Sequence, residues 1–336
     1  MKLTPGKLTG LQAVSDQRGV IAAAAMDQRG SLQKALSKEK GSPAQPAMLE
    51  EFKTAVSRAL TPHASAILLD PEYGLPAARA RAKNSGLLLA YEQSGYDNAQ
   101  PGRLPDLLPH CSVRRLQADG ADCIKVLLYY TPNEKAAIND IKHAFIERIG
   151  AECRAADIPF FLEFVGYDPT GGDEKGLDYA RQKPDIVRGS IAELTKETYG
   201  VDVLKVEIPV NTKFVAGAAA CTGAWAYSKA EALNHFRAAA AAATKPYIYL
   251  SAGVSNAEFN ESLALAAEAG VKFSGVLCGR ATWNDGVAVY AQQGLPAFEQ
   301  WLATQGRANI EAVNRSLQKA TPWFATYGAS SAAALA

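Results

Sequence analysis

Several things are scarce in this chain of 336 residues, and each scarcity closes off a class of function. The five cysteines, Cys111, Cys123, Cys153, Cys221 and Cys278, are odd in number, widely scattered and never spaced C-x-x-C, which argues against a disulfide framework and a zinc knuckle. They read as reduced thiols of a cytoplasmic protein. An excess of one charge is missing as well: 35 Lys and Arg against 34 Asp and Glu give +1, with no block of like charges. Such a surface has no field with which to hold nucleic acid or an anionic membrane, so any anion must be gripped locally. Long apolar runs are also absent. The stretch Val20 to Met26 is short, follows a charged segment and runs straight into Asp27-Gln28-Arg29, unlike a signal peptide or a membrane span. There is no G-x-G-x-x-G and no P-loop, which removes the usual grounds for a dinucleotide or ATP.

What is present is apolar sequence in quantity, 48% of the chain, enough for one large domain or two ordinary ones. Eight short, β-rich apolar runs recur: Val20–Met26, Ala66–Asp70, Leu87–Tyr91, Cys123–Tyr129, Phe160–Val165, Val203–Ile208, Tyr247–Ser251 and Gly275–Gly279. Between most of them lie longer stretches with helical spacing: Ala47–Leu60, Leu104–Asp119, Glu134–Ala156, Asp178–Tyr199, Lys229–Ala243, Ala257–Ala269 and Asp285–Thr304. Only Pro71 to Gly86 separates the second and third runs, room for a loop and a short helix. This alternation, with no Pro/Gly/Ser-rich linker, predicts an α/β fold: one (β/α)₈ TIM barrel over residues 1–326, with an N-terminal helical cover from Lys2 to Arg18 and a C-terminal helical extension. Residues 327–336, low in complexity, are expected to form a flexible tail.

Three of the apolar runs carry a charge near their middle: Lys125, Glu163 and Lys205. Desolvating a charge inside a strand is costly, so three together call for a reason beyond stability. In a barrel, reacting groups gather at the carboxyl ends of the strands, and alternation decides which side chains face in. Lys125 shares parity with Cys123 and Leu127, Glu163 with Phe161 and Val165, and Lys205 with Val203 and Glu207. If those faces are the inner ones, the fourth, fifth and sixth strands present Lys, Glu and Lys side by side. An amine buried near another cation loses pKa and becomes a nucleophile. Lys205 is then expected to attack a ketone and form an iminium, an electron sink for breaking a neighbouring carbon–carbon bond. Glu163 is the expected acid–base partner. Glu207 is expected to orient an amine or relay a proton. The bland alternative is an ion-pair network tying three strands together, but two lysines flanking one carboxylate favour chemistry.

A phosphate site is suggested by Leu250-Ser251-Ala-Gly253-Val-Ser255 after the seventh strand together with Cys278-Gly279-Arg280 after the eighth. Barrel loops there often face an anion with backbone N–H groups. Gly253 and Gly279 would let the backbone approach the phosphate, with Ser251 beside it, and Arg280 would supply a bidentate cation. The alternative is two plain turns with Ser255 as a helix cap. Asp27-Gln28-Arg29 closes the first strand; Asp27 is placed to hold a substrate hydroxyl or Lys205, and Arg29 to meet a second phosphate. For Gln28 a solvated strand exit is nearly as good a reading. Asp70-Pro-Glu-Tyr-Gly74 and Tyr91-Glu92 read as well as turn chemistry. The four histidines, His63, His110, His143 and His235, avoid the carboxyl ends of the predicted strands, one preceding a strand and three lying in predicted helices. No metal is therefore expected, and no cofactor beyond a covalent imine through Lys205.

Long segments also resemble the class I tagatose 1,6-bisphosphate aldolases. They are Met26-Asp-Gln-Arg-Gly30, Leu68-Leu-Asp-Pro-Glu-Tyr-Gly-Leu-Pro76, Gly86-Leu-Leu-Leu-Ala-Tyr-Glu92, Val201-Asp-Val-Leu-Lys-Val-Glu207, Tyr247-Ile-Tyr-Leu-Ser-Ala-Gly-Val-Ser255 and Gly275-Val-Leu-Cys-Gly-Arg-Ala-Thr-Trp283. The resemblance covers nearly the whole chain. It implies a (β/α)₈ fold, Lys205 as the Schiff-base lysine, Glu163 as acid/base, Lys125 and Asp27 beside them, and Ser251, Gly253, Gly279 and Arg280 around a phosphate. It further implies reversible cleavage of D-tagatose 1,6-bisphosphate, or of epimeric ketohexose bisphosphates, to glycerone phosphate and D-glyceraldehyde 3-phosphate. The chain departs from the family between Gly166 and Gly176 and around Gly217 to Trp225, two loops at the mouth. A related barrel family cleaving 6-sulfo-ketohexose 1-phosphate, and a regulatory barrel that binds a phosphosugar without chemistry, are the competing readings. The expected partner is a small sugar phosphate, with no nucleic acid and no membrane, and a homo-oligomer is left open.

Overall fold

In a computed structural model that describes residues 2–93 and 100–336, eight parallel strands close into a barrel in sequence order. They are β1 (Ile21–Met26), β2 (Ala66–Leu69), β3 (Gly86–Ala90), β4 (Cys123–Tyr129), β5 (Phe160–Val165), β6 (Val203–Val206), β7 (Tyr247–Leu250) and β8 (Gly275–Cys278). Each falls within or beside its predicted run. Strands buried on both faces need apolar side chains on both, which is why they read as continuous runs instead of alternating ones.

The helices around them are α1 (Pro5–Ala13), α2 (Gly30–Lys40), α3 (Pro46–Leu60), α4 (Leu75–Ala80), α5 (Val113–Ala118), α6 (Ala136–Ala155), α7 (Leu177–Leu194), α8 (Lys229–Ala241) and α9 (Asn256–Glu268), then α10 (Arg280–Trp283), α11 (Gly286–Gln293), α12 (Leu295–Trp301) and α13 (Arg307–Ser316). Three differ from expectation. Helix α2 was not anticipated, because only Leu32 and Leu36 of its eleven residues are buried and the apolar stripe is short. The helix expected over Leu104–Asp119 shrinks to Val113–Ala118, so His110 lies in the loop before it; Pro105 and Pro109 cannot donate to a helical ladder. The expected Asp285–Thr304 helix is broken at Gly294, whose φ of +81° suits a helix stop. Ser255 caps α9, accepting from the Glu258 amide at 3.2 Å, as the bland reading of that serine required.

Inside the barrel, Ile21, Ala23, Ala25, Ala66, Leu68, Leu88, Ala90, Cys123, Phe161, Val203, Ile248 and Leu277 form one apolar cluster, which fixes the inner face of every strand. Lys125, Glu163 and Lys205 continue that parity, so all three point inward. Ala90 is the register partner of Lys125, and its small side chain leaves room for a long one in the interior.

The floor is closed by Leu11 and Val14 of the α1 region together with Trp323. The tail expected to be flexible packs there too. Leu335 is buried in the same cluster, and its carbonyl accepts from the Leu3 amide at 2.8 Å. A lone leucine among alanines and serines supplies the apolar anchor that composition hid. No helix among the described residues is long and apolar enough to cross a membrane.

Candidate active site

The inner faces of β4, β5 and β6 bring Lys125, Glu163 and Lys205 into direct contact. Glu163 and Lys205 are register partners, and one carboxylate oxygen, Glu163 Oε2, receives both amines: Lys205 Nζ at 2.9 Å and Lys125 Nζ at 2.9 Å. Lys125 also donates to Asp27 Oδ2 at 2.8 Å and to Glu92 Oε1 at 2.7 Å. Both lysines are almost fully buried.

The two lysines differ in their anionic neighbours. Burial would lower the pKa of Lys125, but the carboxylates of Asp27, Glu163 and Glu92 outweigh it and hold the ammonium well above the ordinary lysine value. Lys125 is thus a fixed cation. Burial pushes Glu163 up, yet the ammonium groups of Lys125 and Lys205 prevail and keep its carboxyl below the usual glutamate value. Asp27 is lowered in the same way, burial being outweighed by Lys125 and Lys205. One oxygen of Asp27, Oδ1, is buried without a protein partner, as is Glu92 Oε2. Buried acceptors left unpaired are costly, so each is open to a donor from outside the cluster. Three carboxylates converge on an ammonium here, and no group of His, Cys, Asp and Glu fit to hold a metal occurs among the described residues.

Glu92, which read as turn chemistry in sequence, is therefore a member of the cluster. It follows the inward parity of Leu88 and Ala90 at the exit of β3, a signal that was available. Arg29, expected to meet a second phosphate, is instead buried among acceptors: it binds Glu72 at 2.6 Å and donates to the Glu92 carbonyl at 2.8 Å. Its guanidinium supports the backbone that carries Glu92. Glu207 is also elsewhere, because β6 ends at Val206 and the chain turns away. Its carboxylate accepts from the Gly166 amide at 2.7 Å and pairs with Lys183 of α7 at 3.1 Å. Lys53 of α3 pairs with Asp70 in a fully buried ion pair and donates to the Met26 carbonyl at 2.9 Å, directly before Asp27. Sequence reading did not find Lys53, since a lysine inside a helical pattern looks like a solvated one.

The two loops after β7 and β8 meet. Ser251–Val254 is a tight turn closed by the Val254 amide on the Ser251 carbonyl at 3.1 Å, with φ of +49° at Ala252 and +79° at Gly253. A positive φ at alanine is strained, and such strain collects at functional sites. A Cβ on Gly253 would sit 2.6 Å from Arg280 Cζ, so this glycine makes room for the guanidinium itself. A Cβ on Gly279 would sit 2.9 Å from the Ala25 carbonyl and 3.3 Å from Gln28 Nε2, which places Gln28 against the same corner. Arg280 is exposed at the start of α10, with no carboxylate paired to it among the described residues. Ser251 lies beside Cys278, whose thiol burial pushes up to about 12, so this sulfur stays protonated.

A profile of DeoC/LacD family aldolases matches residues 21–285. The chain is 51% identical over 329 residues to a tagatose 1,6-diphosphate aldolase of Listeria monocytogenes serotype 4b (strain CLIP80459), covering 98% of this chain and 96% of that one. It is 51% identical over 326 residues to tagatose 1,6-diphosphate aldolase 2 of Enterococcus faecalis (strain ATCC 700802 / V583), covering 97% and 98%. Among solved structures, fructose-bisphosphate aldolase from Plasmodium falciparum superposes with a TM-score of 0.67 at 14% identity, covering 93% of this chain and 96% of that one. A Schiff base-forming fructose-1,6-bisphosphate aldolase superposes with a TM-score of 0.56 at 15% identity, covering 91% and 100%. At such identities these two likenesses concern the fold. The barrel, the relatives and the family match define an aldolase, a lyase that acts on carbon–carbon bonds. The chain belongs to the DeoC/LacD family.

Proposed function

We propose that residues 1–326 act as one catalytic unit, a class I aldolase that reversibly cleaves D-tagatose 1,6-bisphosphate to glycerone phosphate and D-glyceraldehyde 3-phosphate through an imine on Lys205. The observation that carries this reading is the unequal surroundings of the two amines. Among the described residues, Lys125 is held as an ammonium in contact with three carboxylates, whereas Lys205 contacts one and shares it with Lys125. The amine less engaged by carboxylates is the better placed to meet a ketone, and that amine is Lys205.

Lys205 Nζ, once neutral, adds to the ketone carbon C2, and loss of water leaves a protonated imine. Glu163 takes the proton of the C4 hydroxyl as the C3–C4 bond breaks, and the bonding pair moves into the enamine. D-Glyceraldehyde 3-phosphate leaves. The enamine is protonated at C3, and water then releases glycerone phosphate and restores the amine. Asp27 Oδ1 accepts a substrate hydroxyl. Ser251, the Gly253 and Gly279 backbone, Gln28 and Arg280 hold the phosphate next to C1. This covalent route needs no cofactor. The substrate is supported by relatives named tagatose 1,6-diphosphate aldolase that are about half identical over nearly their full length.

Borohydride added with the ketose bisphosphate tests the reading. The expected product is a reduced glycerone phosphate adduct on the peptide containing Lys205, with turnover insensitive to EDTA. Absence of the adduct, or activity lost to EDTA and restored by zinc, would overturn the imine. Faster turnover of a 6-sulfo-ketohexose 1-phosphate would overturn the substrate.

A further inference from the structure

Tyr129 ends β4 on the same strand face as Lys125, so its side chain rises from the inner wall toward the mouth. It is held there by a cation. Arg103 Cζ lies 5.1 Å from the Tyr129 ring centre and 4.8 Å from that of Tyr167, and the two rings meet edge to face at 6.5 Å. A guanidinium over aromatic faces is attracted by their quadrupoles, more so when shielded from water.

Every partner in this stack is itself anchored. Arg103, in the loop after β3, has a φ of +46° and pairs with Glu174, in the loop after β5, at 2.6 Å. The Tyr167 hydroxyl receives a hydrogen bond from Lys142 of α6 at 2.9 Å and donates one to Glu134 at 2.8 Å. Lys142 is buried, and burial lowers its pKa to about 8 against the partial support of Glu134. A strained arginine that ties two loops together and covers both the Tyr129 and Tyr167 rings holds this corner of the mouth in one arrangement.

Position in the ring says what Tyr129 can reach. In a closed barrel of eight strands in sequence order, β4 stands opposite β8. A ketose whose first phosphate lies at the Gly253–Arg280 corner, and whose C2 lies at Lys205 on β6, must extend its remaining carbons toward β4 and β5, where Glu163 awaits the C4 hydroxyl. Burial raises the pKa of the Tyr129 hydroxyl, and the groups whose charges it feels include Arg103, Glu174, Glu163 and Arg280. The last two flank the path of the substrate.

Resting on the imine reading, we propose that Tyr129 contacts the aldehyde half of the substrate, the three-carbon hydroxyaldehyde phosphate released on cleavage, and that Arg103 is the residue that positions it. A phenol oxygen both donates and accepts, so beside its own partners it can still bond a substrate hydroxyl or phosphate oxygen, while the ketone half is bound elsewhere. Tyr129→Phe and Arg103→Gln should therefore weaken one half only.

The condensation direction reads the two halves separately. In both variants the KM for D-glyceraldehyde 3-phosphate should rise about fivefold or more. The KM for glycerone phosphate, and the amount of borohydride-trapped glycerone phosphate adduct, should stay near wild type. Arg103→Lys, which keeps the cation, should recover much of the aldehyde KM. An unchanged aldehyde KM in Tyr129→Phe, or a parallel rise in both KM values, overturns the contact; an effect of Tyr129→Phe without one of Arg103→Gln overturns the positioning. Tyr129→Phe removes one hydroxyl and decides the matter if Arg103→Gln does not fold. If wild-type enzyme traps no adduct, the imine reading fails, and the two KM values still judge Tyr129 independently.

Discussion

Glu163 and Lys205 are register partners on neighbouring strands, and one oxygen of the carboxylate lies 2.9 Å from the amine while also touching Lys125. Backbone pairing sets this contact, so it does not depend on a mobile loop. Glu163→Gln keeps the shape and removes the carboxylate proposed as the base. The variant is expected to form the trapped adduct while its cleavage rate falls roughly 10²-fold or more. Stopped-time trapping beside steady-state turnover measures both, and wild-type turnover would remove Glu163 from proton transfer.

Lys125 is the ammonium that Asp27, Glu92 and Glu163 share, and taking it away removes that cation from all three carboxylates at once. Lys125→Met should lower the unfolding free energy by about 3 kcal/mol or more, the scale for orphaning one side of a buried ion cluster. Urea unfolding followed by fluorescence measures this. A variant as stable as wild type would mean that the carboxylates are neutral or solvated in the folded protein.

The same cluster gives stability an acid limb. Asp27 and Glu163 have folded pKa values below their ordinary 3.8 and 4.5. Their contribution is complete above those ordinary values and is lost as the pH drops through the lower folded ones, each group adding a slope of at most about 1.4 kcal/mol per pH unit. Asp27→Asn should flatten that limb between about pH 4.5 and 2. An identical pH profile in the variant would show that Asp27 titrates normally. Lys125 has the opposite sign: its contribution is complete below 10.5 and fades only as the pH climbs through its raised folded value.

Gly253 combines a φ of +79° with a contact that a methyl group cannot share with Arg280. Gly253→Ala should cost on the order of 1–3 kcal/mol in stability and raise the KM for the bisphosphate about tenfold, by displacing the guanidinium. Its kcat at saturation should change little. A large kcat effect with unaltered KM would separate this turn from phosphate binding.

Arg29→Gln provides the contrast. Because Arg29 is enclosed by Glu72 and the Glu92 carbonyl, the variant should lose stability, roughly 1–3 kcal/mol, and raise KM less than Arg280→Gln does. The reverse ranking of KM would return Arg29 to the substrate.

The strands were legible because a buried parallel strand must be apolar throughout, so Lys125, Glu163 and Lys205 stood out near the middle of three of the runs and their parity gave their direction. Asp27 was read from its place at the exit of the first strand, and the structure gathers it with those three. What stayed hidden depends on convergence of distant segments. Glu92 differs from an ordinary turn residue only through its approach to Lys125, 33 positions away. The enclosure of Arg29 by Glu72 and the Glu92 carbonyl also joins segments far apart in the chain, so sequence does not show it. Glu207 shares the parity of Lys205, but the strand stops one residue before it. Helix α2 and the anchored tail went unread for a simpler reason: each buries only one or two large apolar residues.

The shared Glu163 oxygen bears on what the site must do during turnover. A protonated imine carries the same positive charge as the ammonium it replaces, at nearly the same point beside the same oxygen. In the proposed cycle, the surrounding dipoles and carboxylates therefore meet the intermediate already oriented for it, and the resting protein resembles, in its field, the state in which the bond breaks.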